Sequence, residues 1–313
     1  MQSILKRLSK FIPNAYFSNY LFLQFRFLVS HKRFFNFSKT KKINDYLQFS
    51  KLHSKNNFTN ITDKILLKEY LKSKGLDDHI LKTYYVAAKD EKFTNSVFDQ
   101  LPKNFVVKYN HNASGALISR NGYLIDVKKI VFKERVKCTC KMINTWLEEA
   151  KKENLFYVTR EPQYLEIKPR WFIEEMALGL ESIPCDIKVH CIGGKPQFLY
   201  FALDREKSDS RVITDEKLNI LKMRWEKNSN KSKFVNNFSK PSNATVNKIL
   251  NLSEQISKDL LYIRVDFMLL ENGDLAIGEL TLHHGSGFDK ITPESYETKF
   301  GRKIWENLKN FKY

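Results

Sequence analysis

The sequence predicts an α+β protein, and three observations carry that reading. Runs that alternate apolar and polar residues, as half-buried strands do, are strongest in residues 173–313. Segments with helical spacing and helix-end residues lie before and among them, as in TDKILLKEYLKSKG and ATVNKILNLSEQISKDL. A chain of 313 residues that is 42% hydrophobic and 13% aromatic can bury a substantial core, in two domains or one elaborate one. The expected blocks are a basic helical segment over 1–60, mixed helices and short strands over 61–172, and a strand-rich region with a C-terminal helix over 173–313.

Residues 1–42 combine Lys and Arg with many Phe, Tyr and Leu. Their most apolar stretch, AYFSNYLFLQFRFLVSHKRFF, is interrupted by Arg26 and is too polar to span a bilayer. It suits either an amphipathic helix on an anionic membrane surface or an ordinary helix packed on the domain. Next, Thr62 to Gly75 reads as a helix capped by Thr62, with Ile65, Leu66 and Tyr70 on its apolar face. Lys64 falls in its first turn, where a cation opposes the helix dipole and is best tolerated beside an anion or in solvent.

The run FVVKYN is a strand leading into a loop of small and amide residues, Asn110 to Gly115, with Ser114 inside it. A second strand follows, up to the turn Arg120 to Gly122. Such a loop lets backbone amides approach phosphate oxygens while Lys108 supplies charge; a plain hairpin turn is the alternative. It is not a Walker loop, since it lacks the Gly-Lys-Ser/Thr ending and precedes a strand. Tyr164 to Leu178 reads as a strand with Glu174 and Glu175 near its end. Cys185 to Arg205 reads as a hairpin turned at Gly193 and Gly194, carrying Asp186, Lys188 and Arg205. The Asn-, Ser- and Lys-rich stretch Glu226 to Lys248 reads as a long loop. A helix then places Val246, Ile249, Leu250, Leu252, Ile256 and Leu260 at roughly helical spacing.

RVDFML, Arg264 to Leu269, and GDLAIGELTLHHGSG, Gly273 to Gly287, form a hairpin around the turn ENGD. In a favourable register Arg264, Asp266 and Glu279 share a face. Carboxylates are the hard oxygen ligands Mg²⁺ prefers, and the guanidinium fork suits phosphate oxygens. An exposed cross-strand salt bridge is the competing explanation.

Charge and cysteines bound the partners. A balance of 53 Lys+Arg against 35 Asp+Glu, net +18, favours something anionic. The excess is scattered and no nucleic-acid module is visible, so nucleic acid is set aside. Cys138, Cys140, Cys185 and Cys191 lack zinc spacing and read as reduced thiols. With no secretory leader visible, the expected location is the cytoplasm, with peripheral contact at the inner face of a membrane through residues 1–42.

Together and in order, TDKILLKEYL, LPKNFVVKYNHNASG, EPQYLEIKPRWFIEE, PCDIKVHCIGGKPQFLYFALDR, RVDFML and GELTLHHGSG resemble an ATP-grasp enzyme, and more closely the TupA-like ATP-grasp group. The resemblance runs from about Phe35 to about Gly287. It implies an ATP-grasp fold of two α+β lobes clamping the nucleotide, with ATP and Mg²⁺ as cofactors. It assigns Lys64 and Lys108 to the phosphates, Asn110 to Gly115 (Ser114 and Gly115 included) to the lid, and Glu174 to Ala177 to the adenine hinge, with Glu175 and the Met176 backbone in it. Asp186 would meet the ribose and Lys188 would face the same cleft; Asp266 and Glu279 would hold metal. Arg264 would stabilise the transferred phosphoryl group, with Lys188 and Arg205 as further catalytic cations. His283, His284, Ser286 and Gly287 would border the acceptor, although packing explains the two histidines as well. Two departures stand out: Glu279-Leu280-Thr281 replaces the common Glu-x-Asn, and His111 and Asn112 occupy lid positions that many relatives fill with Gly. His111 is expected at the surface.

The implied reaction is carboxylate activation by ATP followed by capture with an amine. The family setting and the basic charge point to an acidic sugar of an envelope polysaccharide as carboxylate, with an amino acid or amine as second substrate. Two alternatives are a glycosyltransferase, for which no clear Asp-x-Asp signature is present, and a non-catalytic basic binding protein.

Overall fold

The computed structural model describes residues 9–37, 41–54, 58–112, 115–126, 136–177, 185–204, 210–226 and 233–311. Ser114 and Arg205 lie outside these residues. Among the described residues there are six helices of ten residues or more: α1 (Tyr16–His31), α2 (Ile43–His53), α3 (Lys64–Ser73), α4 (Cys140–Ala150), α5 (Asn243–Ser257) and α6 (Glu294–Asn307). The chain divides into two compact units. The smaller is 58–156 with 163–178, and the larger is 1–57 with 157–162 and 179–313.

The smaller unit is built on a five-stranded sheet of β1 (Thr83–Val86), β2 (Phe105–Tyr109), β3 (Ala116–Arg120), β4 (Tyr123–Asp126) and β5 (Trp171–Glu175), in the order β1-β5-β2-β3-β4. β5 lies between β1 and β2, antiparallel to both. A boundary at residue 172 would cut this strand, which is why the unit extends to 178. Phe105, Val107 and Tyr109 of β2 and Trp171 and Ile173 of β5 form a core with Ile143, Trp146, Leu147 and Ala150, spaced at i, i+3, i+4 and i+7 on α4.

α3 corrects the sequence reading in two ways. Its cap is Asp63, whose carboxylate accepts from the amides of Ile65 and Leu66, while Thr62 closes a separate short helix, Thr59–Thr62. Its buried residues are Leu67 and Leu71; Leu66 is exposed. The packed face is thus that of Leu67 and Leu71, not the expected one of Ile65, Leu66 and Tyr70. The expected strand Tyr164 to Leu178 is also shorter, because Pro162–Tyr164 forms a 3-10 turn and β5 begins at Trp171.

The larger unit holds a six-stranded sheet in the order β10-β8-β7-β6-β11-β12. Its strands are β6 (Cys185–Ile192), β7 (Lys195–Asp204), β8 (Ser210–Thr214), β10 (Lys233–Phe234), β11 (Tyr262–Leu269) and β12 (Leu275–Thr281); β9 (Arg224–Glu226) and β13 (Lys290–Thr292) pair separately. The β6–β7 hairpin turns at Gly193 and Gly194, both at positive φ as a tight reversal requires. β11 and β12 form the predicted antiparallel hairpin around the ENGD turn, with Gly273 at φ 83°. α5 begins at Asn243 after its cap Ser242, inside the stretch read as loop. Its Val246, Ile249, Leu252 and Ile256 are buried; Leu250 and Leu260 are only partly so.

Residues 9–54 belong to this unit rather than forming a block of their own. Ile43, Tyr46 and Leu47 of α2 share one core with Phe300 and Ile304 of α6 and with Phe198, Tyr200 and Tyr262 of the sheet. α1 buries Phe22, Leu23 and Phe27 against Phe35 and Phe288. Among the described residues no helix is long and apolar enough to cross a membrane. All four cysteines are free thiols.

Candidate functional site

In the larger unit the strand register brings charged residues from three neighbouring strands into rows. Asp266 on β11 is opposite Lys188 on β6 and Glu279 on β12; Arg264 is opposite His190 and Thr281. Side chains two apart share a face, so Lys188, His190, Arg264, Asp266, Glu279 and Thr281 form one patch. The alternate residues Ile187, Val189, Val265 and Phe267 are fully buried.

Arg264 grips Asp266 with both arms of its fork: Nε donates to Oδ1 at 2.6 Å and Nη2 to Oδ2 at 2.7 Å. Lys188 Nζ adds a third contact to Oδ2 at 2.6 Å and reaches Asp186 Oδ2 at 3.5 Å. Burial alone would raise the Asp266 carboxyl; Arg264 and Lys188 outweigh it and hold the group well below the usual carboxylate range. The pairing raises Arg264 in turn, against its own burial. Glu279 is the more open carboxylate, 30% exposed, with Arg264 Nη2 at 3.9 Å. An exposed cross-strand bridge is therefore not what this cluster is.

His284 follows directly. Its Nδ1 accepts from Arg264 Nη1 at 2.6 Å, and burial together with Arg264 keeps the ring neutral by pushing its pKa far down. Its ring centroid lies 4.2 Å from Trp225 and 4.9 Å from His190. Three buried polar atoms beside these residues have no hydrogen-bond partner: Thr281 Oγ1, His190 Nε2 and Trp225 Nε1.

His283 points into a second set of contacts. Its Nε2 meets Ser50 Oγ at 2.9 Å, and its Nδ1 lies 3.6 Å from Glu161 Oε2. The turn beyond it, Gly285 to Gly287, has all three residues at positive φ, including Ser286 at 56°, a conformation that needs outside support in a non-glycine residue. α2 supplies that support. Lys51 Nζ donates to Ser286 O at 2.7 Å and to Ser286 Oγ at 2.9 Å, and Gln48 Nε2 reaches Ser286 O and Gly287 O, both at 3.2 Å. Burial lowers the Lys51 ammonium to about 7. Glu161, which burial alone would raise, is pulled down by His283, Lys51 and Ser286.

In the smaller unit Glu174 on β5 is buried between two lysines. Lys108 on β2 pairs with one carboxylate oxygen and Lys68 on α3 with the other at 2.8 Å. Burial would raise Glu174; Lys108 and Lys68 together hold it below its ordinary value. Lys64 donates to Asn112 O at 2.6 Å, and its backbone amide to Asn110 O. The carboxylate beside Lys108 is thus the expected hinge residue Glu174, while Glu175 is exposed with its amide bound to Lys82 O, and Met176 is buried just beyond the strand.

The lid residues depart from expectation. Asn110 is buried and its side chain is fully engaged, donating to Asp63 Oδ2 and Lys168 O and accepting from the Arg170 amide, so it is not open to a phosphate. His111 is buried, with Nε2 at 2.9 Å from Glu153 O, not at the surface. Asn112 donates to Ala150 O. These three side chains fasten the strand end to the helical layer, which leaves only Gly115, of the described lid residues, outside that anchor.

Sequence reasoning missed Lys68, Lys51, Gln48, Ser50 and Glu161. Lys68 had a signal, because it lies one helical turn after Lys64 on the same face. The others had none, being lone polar residues in ordinary helical or loop context.

The donor set tests whether Mg²⁺ fits. Two hard carboxylates oppose each other across β11 and β12, and the orphaned Thr281 hydroxyl stands in the same patch, at the position where Glu-x-Asn would place its amide. Mg²⁺ commonly takes one or two carboxylates and fills its shell with phosphate and water, so the residues present fit. Among the described residues no group of three or more His, Cys, Asp or Glu that could hold a metal ion gathers, here or elsewhere, so this patch offers two carboxylates.

No curated protein matches the chain. Solved structures do. D-alanine–D-alanine ligase from Bacillus anthracis, complexed with ATP, has 14% identity and TM-score 0.40 over 79% of this chain and 68% of its own. L-amino acid ligase from Bacillus licheniformis has 13% identity and TM-score 0.44 over 84% and 55%. The ATP-grasp ligase PsnB, with Mg and ADP, has 13% identity and TM-score 0.35 over 73% and 51%. The chain thus spans about half the length of the latter two. The TupA-like ATPgrasp family matches residues 45–305, most of the sequence, and the chain belongs to that family.

Proposed function

We propose that this ATP-grasp enzyme is a carboxylate-amine ligase that works through an acyl phosphate, with an acidic sugar of an envelope polysaccharide or its precursor as the carboxylate. The observation that carries the reading is the patch of Arg264, Lys188, Asp266 and Glu279, with His284 on Arg264. In the first step a carboxylate oxygen attacks the γ-phosphorus and ADP leaves. In the second an amine nitrogen attacks the acyl carbon, phosphate departs and the nitrogen gives up a proton.

Neither step needs a covalent group from the protein; both need charge stabilised in a fixed place. Arg264 is suited to equatorial phosphoryl oxygens, and its tie to neutral His284 fixes its direction. Lys188 adds a point charge from the next strand. Asp266 and Glu279 would hold Mg²⁺, with the Thr281 hydroxyl beside them; bound there, it would neutralise phosphate charge and align the leaving group. In the smaller unit Lys68, Lys108 and Lys64 are cations suited to phosphate oxygens, and the backbone after Glu174 is suited to adenine. His283, Ser286 and Gly287 border the acceptor. Peripheral attachment at a membrane through residues 1–42 is the remaining part of this reading.

The test is a pair of measurements. ATP with Mg²⁺ should raise the melting temperature, and an Asp266→Asn, Glu279→Gln variant should lose most of that rise. ADP and phosphate release should then require both an acidic sugar and an amine. Sugar-nucleotide hydrolysis without ATP would replace the ligase with a glycosyltransferase.

A further inference from the structure

Helix α1 has two apolar sides, of which one is packed among the described residues and the other is exposed. Phe22, Leu23 and Phe27 face inward; Leu23 and Phe27 are fully buried, and Arg26 lies over the rings of Phe22 and Phe288 while donating to Val158 O. Phe17, Leu21 and Phe25 succeed one another at i, i+4 and i+8 and are 69%, 50% and 49% exposed. Phe11 before the helix and Phe34 after it are 84% and 60% exposed. Scattered single hydrophobics on a surface need no explanation, whereas five large ones on one helix and its two flanks do.

Charge identifies the occupant. The first 44 residues contain nine Lys and Arg and no Asp or Glu; the first acid is Asp45. Arg33 and Lys42 are tied down, to Asp45 and Glu294. Lys10, in the turn before α1, and Lys32, its C-cap, are exposed at the two ends of the stripe. An apolar stripe bracketed by cations, with no carboxylate in the segment to repel an anion, is the pattern of a helix that lies in the interface of an acidic bilayer.

We infer that Phe11, Phe17, Leu21, Phe25 and Phe34 insert into the surface of an anionic phospholipid membrane, with Lys10 and Lys32 on the headgroups. The inference deepens the peripheral-attachment part of the proposed function. It does not depend on the ligase chemistry, because vesicle binding is read without nucleotide or acceptor.

The experiment is co-sedimentation of the full chain with phosphatidylglycerol-rich vesicles and with vesicles of phosphatidylcholine alone. Wild type should partition onto the acidic vesicles, and added salt should weaken binding. The variant Phe17→Ser, Leu21→Ser, Phe25→Ser should lose about tenfold or more of that binding, with its melting temperature and its ATP-induced thermal shift kept. The variant Lys10→Gln, Lys32→Gln should lose less, and only on acidic vesicles. If the triple variant does not fold, Phe17→Ser alone should show the same direction. Equal binding by wild type and the serine variants, or no binding to acidic vesicles, overturns the inference. Self-association abolished by the serine variant, without vesicle binding, would assign the stripe to a second copy of the chain and also overturn it.

Discussion

Two carboxylates in this protein are each held by two cations, and they are built differently. Glu174 in the smaller unit sits between Lys68 and Lys108, two point charges on flexible stems from a helix and a strand. Asp266 in the larger unit is gripped by the planar fork of Arg264 and by Lys188, both from the same sheet. The first cluster carries one more positive charge than negative and so favours an anion, whereas in the second Glu279 evens the balance. Only the second has a further carboxylate, Glu279, and an orphaned hydroxyl, Thr281. Under the proposed function the contrast would separate two jobs: the smaller unit would offer charge to an anion, whereas the larger would fix the direction of a donor fork and hold a cation.

The largest expected effect breaks the second cluster. Asp266→Asn leaves Arg264 and Lys188 buried without their counter-ion, which costs about 3–5 kcal/mol for a buried pair. It should abolish ATP turnover even where the protein still folds. Thermal unfolding and ADP release measure the two losses separately, and turnover within tenfold of wild type would remove Asp266 from the reaction. Glu174→Gln is the matching change in the smaller unit. The stranded partners here are lysines, which can swing toward water, so the expected loss is about 2–3 kcal/mol. Turnover at saturating ATP should survive while the KM for ATP changes. A fall in turnover as deep as that of Asp266→Asn would erase the distinction between the clusters.

The hairpin that carries the second cluster was legible in the sequence because its signals are local. Alternation, the ENGD turn and period-two spacing fix β11 and β12, and with them the shared face of Arg264, Asp266 and Glu279. Lys188 joins them only through the pairing of β6 with β11, a contact between residues 78 apart in sequence. No local pattern states that pairing. The same limit hid Lys51 and Glu161, which meet the His283 to Gly287 turn from distant segments, and it made His111 read as a surface residue when it is buried with its Nε2 at Glu153 O. At α3 the failure was of another kind: Thr62 and Asp63 are both good caps, and nothing local chooses between them.

Lys51 sharpens the comparison by asking whether the support beneath His284 matters. Its surroundings are Gln48 on its own helix, Ser286, the Phe288 ring, Glu161 and Arg26. Its folded pKa, about 7, lies below the ordinary 10.5, so between those values the unfolded chain binds more protons than the folded one. Stability from this group therefore rises with pH through that window, and its cost is fully present below pH of about 7. Lys51→Met removes the titration. Melting curves from pH 6 to pH 10 should show wild type gaining on the variant as pH rises. Parallel curves would mean that Lys51 stays charged in the fold.

The smallest expected change has two opposite signs. Thr281→Val keeps the shape of the side chain and deletes a hydroxyl that is buried without a partner, so in the protein alone it should be neutral or stabilising by up to about 1 kcal/mol. With ATP and Mg²⁺ the sign should reverse, because the variant lacks a polar group beside the two carboxylates, Asp266 and Glu279, that would hold the ion. The thermal shift produced by ATP with Mg²⁺ should shrink in the variant, and the shift produced by ATP with EDTA should not. The smaller unit has no counterpart among the described residues, since the buried hydroxyls without a partner, Ser257 and Thr281, both lie in the larger unit. If the variant responds to ATP with Mg²⁺ as wild type does, Thr281 is a packing residue, and the metal role rests on the two carboxylates alone.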